Sequence, residues 1–265
     1  MIEAQPAIRP IPLPSAEILG VRVHRLNMGA AVAAIMRMLT GEGHHQVVTL
    51  NAAMLFRAVR DEEFRQLVNS ASLVTPDGMG VLLVGRILGV SFPAKVSGVD
   101  LADRLCALSA NLGVPVFLLG AGPGVVERVA ENLSRSYPGL QIAGVRHGYY
   151  HPHEEPEVVQ AIKQAGARLL LVGLGSPRQE VWIASHLVDS GAAVGMGVGG
   201  SFDVYAGLVR LAPEWVRRAG LEWAYRLVRE PWRWRVAMKL PAVVLLALRE
   251  RAASLLRGRF RSRRE

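Results

Sequence analysis

The 265-residue sequence has few of the features that would assign it to a common class at once. It has one cysteine, Cys106, so no disulfide can form within the chain, and a reducing compartment is expected. No stretch reaches the roughly 18 to 20 consecutive apolar residues that cross a bilayer. The first fifteen residues contain four prolines and no apolar run typical of a secretory signal. We therefore expect a cytoplasmic protein that does not span the membrane.

Motifs for metal binding and for nucleophilic catalysis are also absent. The sequence contains no CxxC, HExxH, Walker or GxSxG pattern, and loop histidines such as His44 and His147 have no carboxylates at ligand spacing. No DxD-type acidic pair follows a predicted strand. These absences argue against a zinc hydrolase, a P-loop enzyme and a serine esterase. They predict a site without a metal or another cofactor.

Charge is distributed unevenly along the chain. Residues 210–265 contain fifteen Lys or Arg residues and five Glu, a net charge of +10, whereas residues 1–209 have a net charge of −1. A nearly neutral body therefore carries a strongly basic C-terminal segment. Such a segment favours an anionic partner: nucleic acid, phospholipid headgroups or a pyrophosphate group.

Short apolar runs alternate with longer helical patterns through most of the chain. The predicted strands cover residues 18–23, 46–50, 73–74, 116–119, 140–145, 168–172 and 193–198. This alternation is typical of a Rossmann-like α/β fold, a mainly parallel sheet with helices on both faces. We divide the chain into a proline-rich lead-in (1–17), the α/β body (18–209) and a helical C-terminal appendage (210–265).

Polar side chains follow two of the predicted strands. Thr49 and Asn51 lie at the end of one strand, and Asp77 follows the next, in the run Thr75-Pro76-Asp77-Gly78. Because the carboxyl ends of parallel strands meet at the edge where α/β sheets bind ligands, these side chains are expected to share a site. The simpler alternative is that Asp77 only caps the following helix, with Pro76 in or near its first turn.

Two glycine-rich segments follow later strands. The turn with Gly120, Gly122 and Gly124 resembles half of a dinucleotide fingerprint but lacks its third glycine and its acidic ribose partner. A turn that contacts a nucleotide through Gly122 and a merely tight turn both remain open. The segment 195–203 brings a second carboxylate, Asp203, to the same edge, where its glycines indicate either a ligand or close helix packing.

The segment 173–180 is more specific. Ser176, Pro177 and Gln179 match a capping box, so the free N–H groups of that helix, beside Arg178, suit a phosphate or a sugar hydroxyl. A well-capped helix with a surface arginine is the alternative. Four residues of these turns are predicted to bind substrate: Gly122, Gly173, Gly175 and Arg178.

Taken together, these pieces resemble the WecG/TagA/CpsF family of bacterial glycosyltransferases over about residues 18–240. The motifs are, in order, T-x-N at 49–51, TPDGMGV at 75–81, SGVD at 97–100, GLGSPRQE at 173–180, GVGGSFDVYAG at 197–207, RLAPEW at 210–215 and GLEWAYRLVREPWRW at 220–234. So many ordered motifs make chance agreement improbable.

The resemblance implies transfer of an N-acetylmannosamine-type sugar, or another hexose, from a UDP donor. The implied acceptor is an N-acetylglucosaminyl-diphospho-undecaprenyl lipid at the inner face of the cell membrane, in cell-surface polysaccharide or teichoic acid biosynthesis. It also implies that Asp77 is the general base and that Thr49, Asn51, Gln179 and Asp203 surround the substrates. The diphosphate would be bound by arginines of the appendage: Arg226, Arg233 and Arg235, with Arg229 as an alternative to the last two.

This chemistry places two demands on the residues. A carboxylate that takes the proton of the acceptor hydroxyl contributes ~10²–10⁴-fold to the rate, and direct attack with UDP leaving inverts the anomeric carbon. The leaving diphosphate needs cations, and arginines with helix N-termini are the candidates in the absence of a metal motif. We therefore expect metal-independent transfer.

The appendage also has the composition of a membrane-contacting segment. Its tryptophans lie among arginines, and the helix predicted at 242–256 has an apolar run too short to span a bilayer, so it is expected to lie in the interface. An anionic membrane surface is thus an expected partner, with the appendage folding over the site. A helix packed on the body with solvated arginines is the alternative.

Two other classes remain as alternatives. One is a Rossmann-type nucleotide-dependent oxidoreductase, and the other is a nucleic-acid-binding protein that uses the basic appendage and its tryptophans. Neither accounts for Thr49, Asn51, Asp77 and Asp203 at strand ends, so nucleic acid is not an expected partner. The hexose, the acceptor sugar and a possible homo-oligomer remain open.

Overall fold

The computed structural model of the protein describes residues 13–218, 221–229, 234 and 238–261. The strands are β1 (Ser15–Ile18), β2 (Val21–His24), β3 (His45–Leu50), β4 (Leu73–Pro76), β5 (Val116–Gly120), β6 (Ile142–Arg146), β7 (Leu169–Gly173) and β8 (Val194–Gly197). The helices are α1 (Met28–Thr40), α2 (Ala52–Arg60), α3 (Glu62–Ser70), α4 (Met79–Leu88), α5 (Gly98–Leu112), α6 (Val125–Ser136), α7 (Glu155–Gln164), α8 (Arg178–His186), α9 (Ser201–Tyr205), α10 (Glu214–Arg218), α11 (Glu222–Arg229) and α12 (Lys239–Arg261).

Six of the strands form one parallel sheet in the order β4-β3-β8-β7-β5-β6. Neighbouring strands pair without interruption except β5 and β6, whose register shifts between Val116 and Phe117; Thr49, for example, pairs with Thr75 and Val172 with Gly197. The strands are short and almost wholly apolar, as expected of strands covered on both faces. The prediction of a mainly parallel α/β sheet is confirmed.

Alternate residues of each strand reach opposite faces of the sheet. Val47 and Leu73 pack on the face covered by α1, α5 and α6. Val48 and Val74 pack on the other face, against α2, α3, α4 and α12, while α7 and α8 cover the rest of that face. The helices therefore cover both faces, and the carboxyl ends of β3, β4, β5, β7 and β8 are left at one edge.

The first predicted strand, residues 18–23, is wrong as a single strand. The chain instead forms an antiparallel hairpin in which β1 pairs with β2, and Ser15 lies opposite His24. The turn falls at Leu19 and Gly20, whose φ angles are +51° and +79°. A positive φ in two successive residues reverses the chain, and Gly20 adopts it without steric cost. The hairpin packs Ile18, Val21 and Val23 into the core beside α3 and β4.

The C-terminal helix α12 is anchored on the body through one of its faces. Val243 and Ala247 are fully buried in the core cluster formed with α2 and α4. The predicted helical appendage is thus confirmed, and its last helix is longer than the predicted 242–256. Four leucines on its other sides, Leu245, Leu248, Leu255 and Leu256, are about half exposed. No helix within the described ranges is both long enough and apolar enough to cross a membrane.

Candidate active site

A cavity of about 730 Å³ opens at the carboxyl ends of β3, β4 and β8, and we call it the Asp77 cavity. The predicted site residues Thr49, Asn51, Asp77 and Gln179 lie in its wall. Strand pairing explains this meeting, because β3 lies between β4 and β8 and its register brings Leu50 beside Pro76. The prediction that the side chains after β3 and β4 open onto the same edge of the sheet is therefore confirmed, and their role in binding substrate stays a prediction.

Asp77 is held at the start of α5 rather than at the start of α4. Helix α4 begins at Met79 after the N-cap Gly78, and no side chain caps it, so the alternative that Asp77 caps this helix is wrong. Instead, the Gly98 N–H donates to Asp77 Oδ2 at 3.3 Å, and the Asp77 N–H donates to the Leu50 carbonyl at 2.8 Å. The positive end of the α5 dipole faces this carboxylate and favours its ionised form.

Thr49 lies beside the same helix start. A β-carbon placed on Gly98 would lie 2.8 Å from Thr49 Oγ1 and 3.5 Å from Asp77 Oδ2. The absence of a side chain at Gly98 therefore allows α5 to approach both residues closely. The hydroxyl of Thr49 and the carboxylate of Asp77 flank one point of the wall, where both can contact a single sugar.

Asn51 has a structural role as well as a place in the cavity. Its Oδ1 accepts hydrogen bonds from the N–H groups of Ala53 and Met54, at 3.0 and 3.1 Å, which makes it the N-cap of α2. Because the amide oxygen is used in this way, the group that Asn51 can offer to a ligand is its NH₂.

Gln179 is buried in the wall of the Asp77 cavity and connects α8 to the segment after β8. Its Nε2 donates to Glu180 Oε1 at 2.7 Å, and its Oε1 accepts from the Gly199 N–H at 2.9 Å. Burial raises the pKa of the Glu180 carboxyl. Both ends of the Gln179 amide thus have protein partners.

The capping box predicted for α8 does not form. The helix begins at Arg178, its N-cap is Pro177 after a cis peptide bond from Ser176, and no side chain caps it. Gln179, predicted as the third helical residue, turns its amide toward Gly199 and Glu180 instead. Ser176, Pro177 and Gln179 nevertheless all line the Asp77 cavity.

A second cavity of about 690 Å³ lies at the ends of β5 and β7, and we call it the Asp203 cavity. It contains the remaining predicted residues of the body: Gly122, Gly173, Gly175, Arg178 and Asp203. The chain leaves β5 toward β6 and leaves β7 toward β8, so the connections diverge here, as they do at ligand sites of open α/β sheets. Gly175, Gly199 and Gly200 line both cavities, which are therefore neighbours.

An aromatic loop closes the outer side of the Asp203 cavity. Tyr149 is 77% exposed, and Tyr150, which is buried, lies under the Arg178 guanidinium at 5.4 Å from its ring centre. No motif of the sequence marks these tyrosines as functional. Their place at the cavity depends on the loop after β6, whose path cannot be derived from its composition.

The appendage contributes to the Asp77 cavity. Leu227 of α11 and Lys239 and Leu240 of α12 line it, opposite the strand ends. Leu240 lies so close to α4 that a β-carbon on Gly80 would come within 2.7 Å of its Cδ1. Lys239, and Lys95 before α5, are basic residues of the cavity that the sequence analysis did not select.

The predicted diphosphate-binding arginines stay a prediction. Arg233 and Arg235 lie outside the described residues, and of Arg226 only the backbone is described, within α11. Arg229 ends the same helix, with its guanidinium 5.7 Å from the ring centre of Tyr225. Within the described part of the chain, no group of three or more His, Cys, Asp or Glu residues is arranged to hold a metal ion.

Residues 16–256 match the glycosyl transferase WecG/TagA/CpsF family. The chain belongs to this family. A relative from Bacillus subtilis (strain 168), named N-acetylglucosaminyldiphosphoundecaprenol N-acetyl-beta-D-mannosaminyltransferase, is 33% identical over 204 residues, which cover 77% of this chain and 79% of the relative. A relative of the same name from Bacillus spizizenii is 34% identical over 208 residues, covering 78% and 80%.

Membership of the WecG/TagA/CpsF family confirms the resemblance inferred from the motifs, and it makes the chain a glycosyltransferase. The matched family and both relatives are transferases by name. None is described as an oxidoreductase or a nucleic-acid-binding protein, the two alternatives that the sequence left open.

Proposed function

We propose that the protein transfers an N-acetylmannosamine-type sugar from a UDP donor to an N-acetylglucosaminyl-diphospho-undecaprenyl acceptor, with inversion at the anomeric carbon. The observation that carries this proposal is the position of Asp77, whose carboxylate stands beside Thr49 at the start of α5 in a cavity of substrate size. The names of the two Bacillus relatives support the choice of sugars, since they share a third of their aligned residues with this chain.

In this reaction, Asp77 acts as the general base. The acceptor hydroxyl oxygen attacks the anomeric carbon of the donor sugar while its proton passes to the Asp77 carboxylate. The bond between the anomeric carbon and the UDP oxygen breaks, and UDP leaves with both electrons. The Gly98 N–H and the positive end of the α5 dipole stabilise the negative charge of this carboxylate, which suits the role of a base.

The two cavities divide the substrates between them. The acceptor sugar lies in the Asp77 cavity, because that cavity holds the base and is closed on one side by the appendage residues Leu227, Lys239 and Leu240. The nucleotide lies in the Asp203 cavity, where glycine backbone, Arg178 and the Tyr149 ring suit a diphosphate and a flat base. The donor sugar then crosses at Gly199 and Gly200, where the cavities meet.

Cationic side chains stabilise the leaving diphosphate in place of a metal ion. Arg178 at the Asp203 cavity, with Lys95 and Lys239 at the Asp77 cavity, can meet the negative charge that develops as UDP departs. Arg226, Arg233 and Arg235 of the appendage are proposed to join them. The reaction is accordingly proposed to be independent of divalent metal.

The appendage also brings the enzyme to its lipid substrate. One face of α12 is buried on α2 and α4, while Leu245, Leu248, Leu255 and Leu256 stay about half exposed among basic residues such as Arg249. An amphipathic, basic helix of this kind binds the headgroup region of anionic bilayers. We expect the protein to sediment with phosphatidylglycerol vesicles and not with phosphatidylcholine vesicles, and Leu255→Ser/Leu256→Ser to weaken that binding.

The function is tested by incubating the protein with a panel of UDP-hexoses and an N-acetylglucosaminyl-diphosphate lipid, and by following UDP release. We expect the fastest release with UDP-N-acetylmannosamine, and Asp77→Asn should lower kcat by ~10²–10⁴-fold, the usual contribution of a general base. Asp189→Asn, an exposed carboxylate beyond the end of α8, is the matched control and should leave kcat unchanged. Equal turnover by Asp77→Asn would refute the assignment of the base.

A further inference from the structure

Glu180 is a buried carboxyl group directly behind the wall shared by the two cavities. It is 2% exposed, and its Oε1 lies 3.0 Å from the point that a β-carbon on Gly197 would occupy. Oε1 accepts the hydrogen bond from Gln179 Nε2 at 2.7 Å, and the main-chain oxygen of Glu180 accepts one from Gln46 Nε2 at 2.9 Å. The proposed chemistry gives this group no part.

The surroundings of Glu180 favour the neutral carboxylic acid. The ion pairs formed among the described residues do not include Glu180. Burial raises its pKa, and the hydrogen bond from the Gln179 side chain opposes that shift only in part. A buried carboxyl group without a cationic partner avoids a large desolvation cost by keeping its proton.

The hydrogen bonds around Glu180 form a directed chain. An amide side chain can present either its oxygen or its nitrogen to a neighbour. Glu180 Oε1 acts as an acceptor toward Gln179, so it orients Gln179 Nε2 toward Glu180 and leaves Gln179 Oε1 facing Gly199. Oε1 then accepts from the Gly199 N–H at 2.9 Å. The backbone between the two cavities is thus tied to Glu180 through one side chain.

We propose that Glu180 is a positioning residue that fixes the amide of Gln179, and through it the Gly199 backbone, where the Asp77 cavity and the Asp203 cavity meet. The test has two readouts. The rate of UDP release rests on the proposed function, whereas hydrogen exchange of the Gly199 amide does not. A shift of about 1 Å in groups that orient a substrate costs ~10²-fold in rate. The effect of losing Glu180 should therefore appear in kcat.

Three substitutions at this position separate positioning from packing. Glu180→Gln keeps the size and the oxygen acceptor, Glu180→Leu keeps the approximate size without the acceptor, and Glu180→Asp keeps the carboxyl but shortens the side chain by one CH₂ group. The matched control is Gln46→Leu, which removes an equally buried hydrogen bond to the main chain of the same residue.

The first readout is amide hydrogen exchange of Gly199 in the protein without substrates. We expect Glu180→Gln to keep the protection of this amide, and Glu180→Leu and Glu180→Asp to lose it, while Gln46→Leu keeps it. This result does not require that the protein transfer any particular sugar. Unchanged protection in both Glu180→Leu and Glu180→Asp would overturn the proposal.

The second readout is UDP release with both substrates. The kcat of Glu180→Gln should stay within about fivefold of the wild-type value, because one neutral hydrogen bond contributes about that factor. Glu180→Leu and Glu180→Asp should lose ~10²-fold in kcat with little change in the acceptor KM. A wild-type protein that releases no UDP would refute the proposed function and leave the exchange result to decide the role of Glu180. Loss of activity in Glu180→Gln equal to that in Glu180→Leu would contradict positioning through the oxygen acceptor.

Discussion

The two cavities at the edge of the sheet differ in the residues that line them. The Asp77 cavity has side chains at its centre, with Asp77 and Thr49 held at a helix start and Lys239 and Leu240 added by the appendage. The Asp203 cavity has glycines from four strand ends in its wall, together with the Tyr149–Tyr150 loop, Arg178 and Asp203. Backbone can surround an extended ligand closely, whereas proton transfer needs a placed carboxylate. The difference indicates that nucleotide binding and proton transfer take place in neighbouring cavities at one edge of the sheet.

The largest effect on the difference between the two cavities is expected from removing the appendage, whose described residues line only the Asp77 cavity. A chain ending at Val209 lacks Leu227, Lys239 and Leu240, so we expect UDP release with the lipid acceptor to fall by more than ~10²-fold, because the acceptor loses one side of its cavity. UDP binding, measured by calorimetry, should weaken through the loss of Arg226, Arg233 and Arg235 but remain detectable in the Asp203 cavity, which also reports that the body is folded.

The control for this truncation is a chain ending at Ser254. It keeps Val243 and Ala247, which anchor α12 in the core, and all the appendage residues that line the cavity. We expect it to transfer sugar to a detergent-solubilised acceptor at the wild-type rate. Full turnover by the chain ending at Val209 would contradict a role of the appendage in the site.

A change in the Asp203 cavity should act on the donor instead. Arg178→Met removes a guanidinium that can bind the diphosphate, and the loss of such a charge-assisted hydrogen bond costs about 1.5–3 kcal/mol. We expect the donor KM to rise by ~10–100-fold and the acceptor KM to stay unchanged, as measured by UDP release. Arg135→Met, an exposed arginine in the last turn of α6, is the control and should change neither. A donor KM unaffected by Arg178→Met would remove this residue from the nucleotide site.

The contact between α4 and α12 offers a milder test. A β-carbon on Gly80 would lie 2.7 Å from Leu240 Cδ1 and 3.0 Å from Ala52 Cβ, so Gly80→Ala should displace α12 and destabilise the protein by about 1–3 kcal/mol. Chemical denaturation measures this loss. Adding Leu240→Ala should recover part of the stability, since it removes the closer of the two contacts. Additive losses in the double variant would show that the helices do not meet there.

The smallest expected effect is that of chelation. Since cationic side chains are proposed to hold the departing diphosphate, treatment with EDTA should leave kcat unchanged. The same UDP-release assay measures this. Loss of activity that Mn²⁺ or Mg²⁺ restores would show that the account of the leaving group is wrong.

The sheet could be predicted from the sequence because its strands are short, contain apolar runs and alternate with longer helices. The prediction for 46–50, for example, misses β3 by one residue, and Asn51 caps α2 as expected. The hairpin was missed because its turn, Leu19-Gly20, interrupts a short run in which polar and apolar residues alternate on both sides. Local propensity alone does not distinguish one strand from two in such a run.

The site was predictable only where strand order determines it. Thr49 and Asp77 meet because parallel neighbours end at one edge, which the alternation of strands and helices already implied. The capping roles given to Asp77 and to Ser176 were wrong, since α4 and α8 each begin one residue later than those caps require, with Gly78 and Pro177 at the N-cap positions. Lys239 and Leu240 enter the cavity through the docking of α12, which is tertiary packing that no local pattern records.

Calorimetric titration of UDP into the wild type, Asp77→Asn and Asp203→Asn tests the division of labour between the two cavities most directly. The account predicts that Asp77→Asn binds UDP within about threefold of the wild type, because it loses only a base that does not touch the nucleotide. Asp203→Asn should bind UDP about tenfold more weakly or worse, because the charged Asp203 carboxylate can no longer accept a hydrogen bond from UDP. Loss of UDP binding in Asp77→Asn, with wild-type binding in Asp203→Asn, would contradict it.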